Sequence, residues 1–205
     1  MAARRLLAPF AAIALLGGCA GGGTPGFNYY SLVRPEPRDV AHDTMVVTPT
    51  MRWNRAPRGP YDIAREENWT LNGPLLDSLT FIGALESGKR IVVQRRKADR
   101  KVPNFSADMS PQDIAAMIES LYRIRAGAPE FTMTSLKPRP FLGQSGFQFD
   151  YDYLGGDEVR RRGRGVGAII QGRFYLAVFD AARMHYWDAG IGEFERIVES
   201  ARLKR

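Results

Sequence analysis

Gly146-Phe147-Gln148-Phe149-Asp150-Tyr151-Asp152-Tyr153-Leu154 alternates without a break. Phe147, Phe149, Tyr151 and Tyr153 fall on one side of an extended chain, and Gln148, Asp150 and Asp152 on the other. This is the period-two pattern of a half-buried strand. Four aromatic rings on one face need a layer packed over them, so the segment belongs to a sheet with a covering element.

The same period extends to either side. Residues 164–171 and 173–179 follow as strands and 131–136 precedes, with earlier strands expected over 45–50, 69–71, 76–85 and 89–94. Residues 52–67, broken by Pro57, Gly59 and Pro60, read as an irregular loop. Two segments change to helical spacing. Ser110 is suited to an N-cap, Pro111 to the first helical position and Asp113 to the first turn. Ile114, Met117, Ile118, Leu121 and Ile124 then form one stripe that Gly127 ends. A second helix is expected over 191–203, with Phe194, Ile197, Val198 and Ala201 on one side. The expected fold is α+β: an antiparallel sheet covered by helices near 110–125 and 191–203.

The N-terminus has a different logic. Arg4 and Arg5 precede an apolar run over 6–16, and the small-residue sequence Leu16-Gly17-Gly18-Cys19 follows. Charge, short apolar core and small cleavage region are those of an export signal, too short to span a bilayer as a mature helix. Leu-Gly-Gly-Cys resembles the lipobox of bacterial lipoproteins. That resemblance implies removal of residues 1–18 and acylation of Cys19, palmitate among the chains, tethering the protein to the lipid bilayer. With Ala20 rather than Asp after the cysteine, it also implies the outer membrane of a Gram-negative envelope, facing the periplasm. Residues 19–44, rich in Gly and Pro, read as a flexible tether, and 45–205 as a single globular domain.

Composition bounds the rest. The chain has 205 residues, a formal charge of +7 and one cysteine, so no intrachain disulfide forms. The segment 1–18 carries two arginines and no acid, leaving +5 on the mature chain. A weakly basic exported protein suits anionic lipid headgroups or an acidic envelope protein, and export argues against nucleic acid.

Towards the C-terminus, Gly172-Arg173-Phe174-Tyr175-Leu176, then Ala181-Ala182-Arg183-Met184-His185-Tyr186-Trp187, then Phe194 with Ile197-Val198-Glu199-Ser200, resembles the end of PsbP-like domains. The resemblance implies a PsbP-like sandwich and a non-enzymatic assembly or accessory subunit. It carries no binding residue onto this chain.

Four patterns raise the question of chemistry. Gly163-Arg164-Gly165-Val166-Gly167 has dinucleotide-loop spacing but is preceded by arginines and followed by a strand, so its glycines read as a close approach over a sheet. Gly143-Gln144-Ser145-Gly146 places its second glycine one residue early for a nucleophile elbow. His185 with Asp180 or Asp188 completes a triad only on paper, and His185 reads as a packed residue. Asp150 and Asp152 could contribute to a calcium site, but cross-strand pairs explain them better: Asp152 with Arg160 and Asp150 with Arg162 across a three-residue loop, or Asp150 with Arg161 across a two-residue one. Finally, Arg160, Arg161, Arg162 and Arg164, and a second cluster of Arg95, Arg96, Lys97, Arg100 and Lys101, read as a docking face for lipid phosphates or an acidic partner, or as a solvated strand edge. No cofactor or metal site is expected. The expected function is non-catalytic: a membrane-anchored envelope lipoprotein binding a protein partner or supporting assembly of an envelope complex, or else a carrier or sensor of a small amphiphile held between sheet and helix.

Overall fold

The computed structural model describes residues 29–59, 62, 63, 65–91 and 103–204. The segment 1–18 read as an export signal, Cys19 and the second basic cluster lie outside these residues. Among the described residues, eleven strands and two helices run in the order β1 (Ser31–Val33), β2 (Arg38–Val40), β3 (Met45–Val47), β4 (Trp53–Arg55), β5 (Glu66–Thr70), β6 (Asp77–Glu86), α1 (Pro111–Arg125), β7 (Glu130–Pro138), β8 (Phe147–Leu154), β9 (Arg160–Ile170), β10 (Arg173–Ala182), α2 (Tyr186–Ser200) and β11 (Arg202–Leu203). Eight strands form one antiparallel sheet in the order β1-β4-β5-β6-β10-β9-β8-β7, and β11-β3-β2 form a small second sheet. The fold is α+β, as the sequence predicts.

The large sheet separates two cores. On one face, α1 lays Ile114, Met117 and Ile118 against Phe147, Phe149, Tyr151, Phe174 and Leu176. On the other, α2 and the small sheet enclose Trp53, Trp69, Phe81 and Phe179 with Val40, Met45, Phe194 and Ile197. Strand β10 lies between them and is buried on both faces for nearly its whole length, which accounts for its continuous apolar run.

Two glycines explain how the aromatic face of β8 is seated. A Cβ on Gly163 would lie 2.0 Å from the Tyr151 ring, and one on Gly165 would lie 2.1 Å from the Phe149 ring. The rings of β8 lie across the bare backbone of β9, the close approach that the alternating glycines predict.

Helix α1 begins with a reciprocal cap. Ser110 Oγ accepts from the Asp113 amide, and the Asp113 carboxylate accepts from the Ser110 amide. Helix α2 starts at Tyr186, five residues before the expected position, and ends at Ser200; Arg202–Leu203 instead pair with β3. Gly190 and Gly192 conceal its first turns in the sequence. Gly190 is required there because a Cβ would lie 2.4 Å from the Phe179 ring.

Four other expectations change. The folded chain begins inside the expected tether, because β1 and β2 flank the turn at Pro35-Glu36-Pro37 and pair with β4 and β3. The irregular loop over 52–67 contains β4 and the start of β5. Of the strand expected over 89–94, Arg90 makes an isolated bridge to Asn104 and Ile91 is buried, while 92–94 lie outside the described residues. Strand β9 is interior, between β10 and β8, and not a solvated edge.

Candidate functional site

The arginines of β9 do not form a free basic patch. The β8–β9 turn spans residues 155–159, so the register sets Asp152 opposite Arg162 and Asp150 opposite Arg164. This differs from both pairings expected from shorter loops. Arg162 binds Asp152 at 2.9 Å, and Arg164 bridges Asp150 at 2.6 Å and Glu195 of α2 at 2.8 Å. Arg160 meets Glu130 at 3.3 Å. Strand alternation turns Arg161 to the opposite face, where it grips Asp157 through both terminal nitrogens at 2.7 Å and the Leu75 carbonyl at 2.9 Å. Each guanidinium has a carboxylate partner, and three of the four knit strands and helix together.

Ser145 and His185 are far apart. Phe147, two residues after Ser145, pairs with Gly167, whereas Ala182, three residues before His185, pairs with Arg161. Six positions along β9 separate these ends by about 20 Å. His185 is exposed, not packed, and caps α2 with a positive φ of 65°. Among the described residues, no three acidic, histidine or cysteine side chains gather as a metal site.

What does converge is a cavity of about 380 Å³ between α1 and the strands β5, β6 and β10. Helix α1 packs towards β7 and β8, its Tyr122 ring meeting Phe131, Tyr151 and Tyr153, and leaves this part of the sheet incompletely covered. The strand register sets its floor in rows: Ser78 opposite Asp180, then Asn68, Thr80 and Val178, then Glu66, Ile82 and Leu176. The roof is the stripe Ile118, Leu121, Tyr122 and Arg125 of α1. Arg125 fastens the helix end to β5, binding Glu66 at 2.7 Å and Asp62 at 3.0 Å. Asn68 donates to Glu66 and accepts from Thr80.

At the other end the polar groups form a relay. Tyr151 donates to the Tyr122 hydroxyl, which donates to Asp180 Oδ2 at 2.7 Å; Tyr153 donates to Asp180 Oδ1 at 2.9 Å. Burial raises the Asp180 carboxyl above its ordinary range, against the opposing pull of both phenol hydrogen bonds and the Arg161 charge. Burial and the neighbouring Asp180 charge push the phenols of Tyr122, Tyr151 and Tyr153 upward, so all three remain protonated donors at neutral pH. Asp180 itself is only half-buried and faces the cavity.

Apolar walls with a few convergent polar groups are the make-up of a small-molecule site, and 380 Å³ lies within the usual size range of about 300–1,000 Å³. Two other clefts, of about 430 and 610 Å³, lie near the β1–β4 edge, but they are lined by charges that pair with one another, such as Arg55 with Glu67. The sequence holds one signal for the cavity that patterning alone passes over. Phe174, Leu176 and Val178 alternate inward along β10, and the next inward position is a carboxylate, Asp180.

No protein-family model matches the chain, and no curated protein does. Among solved structures, it is similar to cyanobacterial PsbP (CyanoP) from Synechocystis sp. PCC 6803, with a TM-score of 0.55 at 16% identity, covering 92% of this chain and 98% of that one. This likeness identifies the fold as PsbP-like. Weaker likenesses are to PA94, a protein of unknown function from Pseudomonas aeruginosa (TM-score 0.41, 12% identity, 82% of this chain and 93% of that one), and to LpqN, involved in cell envelope biogenesis of Mycobacterium tuberculosis (TM-score 0.35, 13% identity, 90% and 88%).

Proposed function

We propose that this chain is an exported, lipid-anchored, non-catalytic domain that binds a small amphiphile in the cavity beneath α1. The observation that carries the reading is that cavity: an aliphatic wall facing a polar floor, with a half-buried carboxylate at one end held by two tyrosine hydroxyls. The aromatic face of Phe147, Phe149 and Tyr151 is not itself the site; those rings fill the core, and the ligand lies beside them. Anchoring rests on the lipobox resemblance around Cys19, which supports residence at an envelope membrane, most consistently the outer membrane on its periplasmic side. Carrier or sensor is favoured over the arginine docking face, whose charges are already paired.

The test uses a neutral fluorescent probe, N-phenyl-1-naphthylamine, titrated into the full chain. Saturable one-to-one enhancement is expected, reduced at least tenfold in Leu121→Trp, which fills the cavity from its roof. No saturable binding, or binding indifferent to Leu121→Trp, would remove the basis for the reading.

A protein partner is the second reading, and one observation favours it. Strand β1 is an edge of the large sheet, and Tyr29, Tyr30, Leu32 and Met51 stand exposed on or beside it. Such an edge can accept a strand from another chain.

A further inference from the structure

We propose that the cavity is selective for a cationic amphiphile, with a primary ammonium head against Asp180 and a short apolar body along Ile82, Ile118, Leu121, Leu176 and Val178. This rests on the ligand-binding reading and adds the charge of the ligand.

The argument begins with the acceptor capacity of Asp180. A carboxylate offers about four acceptor positions. Tyr122 occupies one on Oδ2 and Tyr153 one on Oδ1. Among the described residues Asp180 makes no ion pair. Arg161, the cation that acts on it, has its terminal nitrogens on Asp157 and on the Leu75 and Val159 carbonyls. Two hydroxyl dipoles and an Arg161 already bound to Asp157 are therefore all that offset the charge of Asp180 among the described residues. Burial and the nearby Asp77 charge favour the protonated form of Asp180, an ammonium placed beside it favours the ionised form, and the three phenols stay protonated throughout.

At the far end Arg125 pairs with Glu66 and also binds Asp62 beside the cavity, so among the lining residues the net charge is that of Asp180. A chain with a formal charge of +7 thus encloses a cavity with an excess of acid. Fatty acids and phosphate esters are disfavoured there, because a buried charge needs an opposite partner and these would meet one of their own sign.

An ammonium group has three donors. Asp180 can accept from it, and so can the Ser78 hydroxyl, which is opposite Asp180 in register, lines the same cavity and makes no side-chain hydrogen bond among the described residues. A hard divalent cation, which takes about six oxygen ligands or more, is poorly served by a single carboxylate and phenols already engaged as donors. The aliphatic wall across from Asp180 gives the ligand its second requirement, an apolar body.

The experiment is calorimetric titration of the full chain at neutral pH with hexylamine, 1-hexanol and hexanoate, three probes of one length and different head charge. Hexylamine should bind at least tenfold more tightly than hexanol, with hexanoate weakest, and should shift the methyl resonances of Ile82 and Ile118. In the near-isosteric Asp180→Asn, hexylamine affinity should fall to that of hexanol while hexanol affinity is unchanged. Should that variant fail to fold, the ranking of the three probes on the unaltered chain decides alone. Equal binding of hexanol or hexanoate, loss of nothing in Asp180→Asn, or shifts away from Ile82 and Ile118 would overturn the charge assignment while leaving a ligand site in place. Absence of binding by all three probes would overturn the ligand-binding reading itself.

Discussion

Gly163 and Gly165 show how single residues set the packing of this molecule. Each leaves room for a ring from the neighbouring strand, with a substituent carbon landing about 2 Å from Tyr151 or Phe149. Gly163→Ala and Gly165→Ala should therefore each lower stability by about 1–3 kcal/mol, the usual cost of overpacking a core. Gly192 is the contrast: exposed on α2, with only the end of Arg196 within 4 Å of where an added methyl would sit. Gly192→Ala should leave stability equal or raise it by up to about 1 kcal/mol, since alanine is the better helix former. Urea denaturation of the three variants checks both signs, and similar midpoints for all of them would refute the packing account. Asp180 belongs to this scale too. Sequence patterning passes over it because it lies one residue past the last apolar position of the expected strand, and its partners Tyr122 and Tyr153 are 58 and 27 residues away.

At the scale of the element, the ion pairs of β9 have unequal weight. Arg164 is only a quarter exposed and ties β8 to α2 through Asp150 and Glu195, whereas Arg160 and Glu130 are both mostly exposed. Arg164→Glu sets like charges together in a half-buried network and should cost about 2–4 kcal/mol; Arg160→Glu should change stability by no more than about 0.5 kcal/mol. Thermal unfolding of both variants distinguishes this from a docking face, on which neither change would affect stability. The elements also show what is legible in the sequence. Strand β8 can be read to the residue because its alternation is unbroken, and α1 because its cap, proline and apolar stripe agree. Strand β9 can be read only from residue 164, since the three arginines before it mask the pattern that their carboxylate partners make sensible. Strands β1 and β2 are three residues each and exist through partners distant in sequence, so no local period reveals them. The cavity is illegible for the same reason: it is assembled from α1, β5, β6, β8 and β10, and only their register brings its groups together.

The whole molecule combines an N-terminal lipobox-like segment with a two-core sheet that has a cavity on one face. Anchoring is tested by growth with an alkynyl fatty acid: label should enter the full chain and be absent from Cys19→Ser, and equal labelling would end the lipoprotein reading. The PsbP-like fold itself does not dictate a ligand, since folds host many functions and the site must carry the argument. Here the site joins an aliphatic wall to a carboxylate that makes no ion pair among the described residues, an arrangement that a well-packed structural core has no need to keep. The most direct test of that claim is native mass spectrometry of the full chain purified gently from the cells that produce it, beside Leu121→Trp prepared in the same way. A small organic molecule should accompany the unaltered protein in one-to-one ratio and be missing from the variant. A mass equal to that of the protein alone, or an adduct retained by Leu121→Trp, would contradict the account.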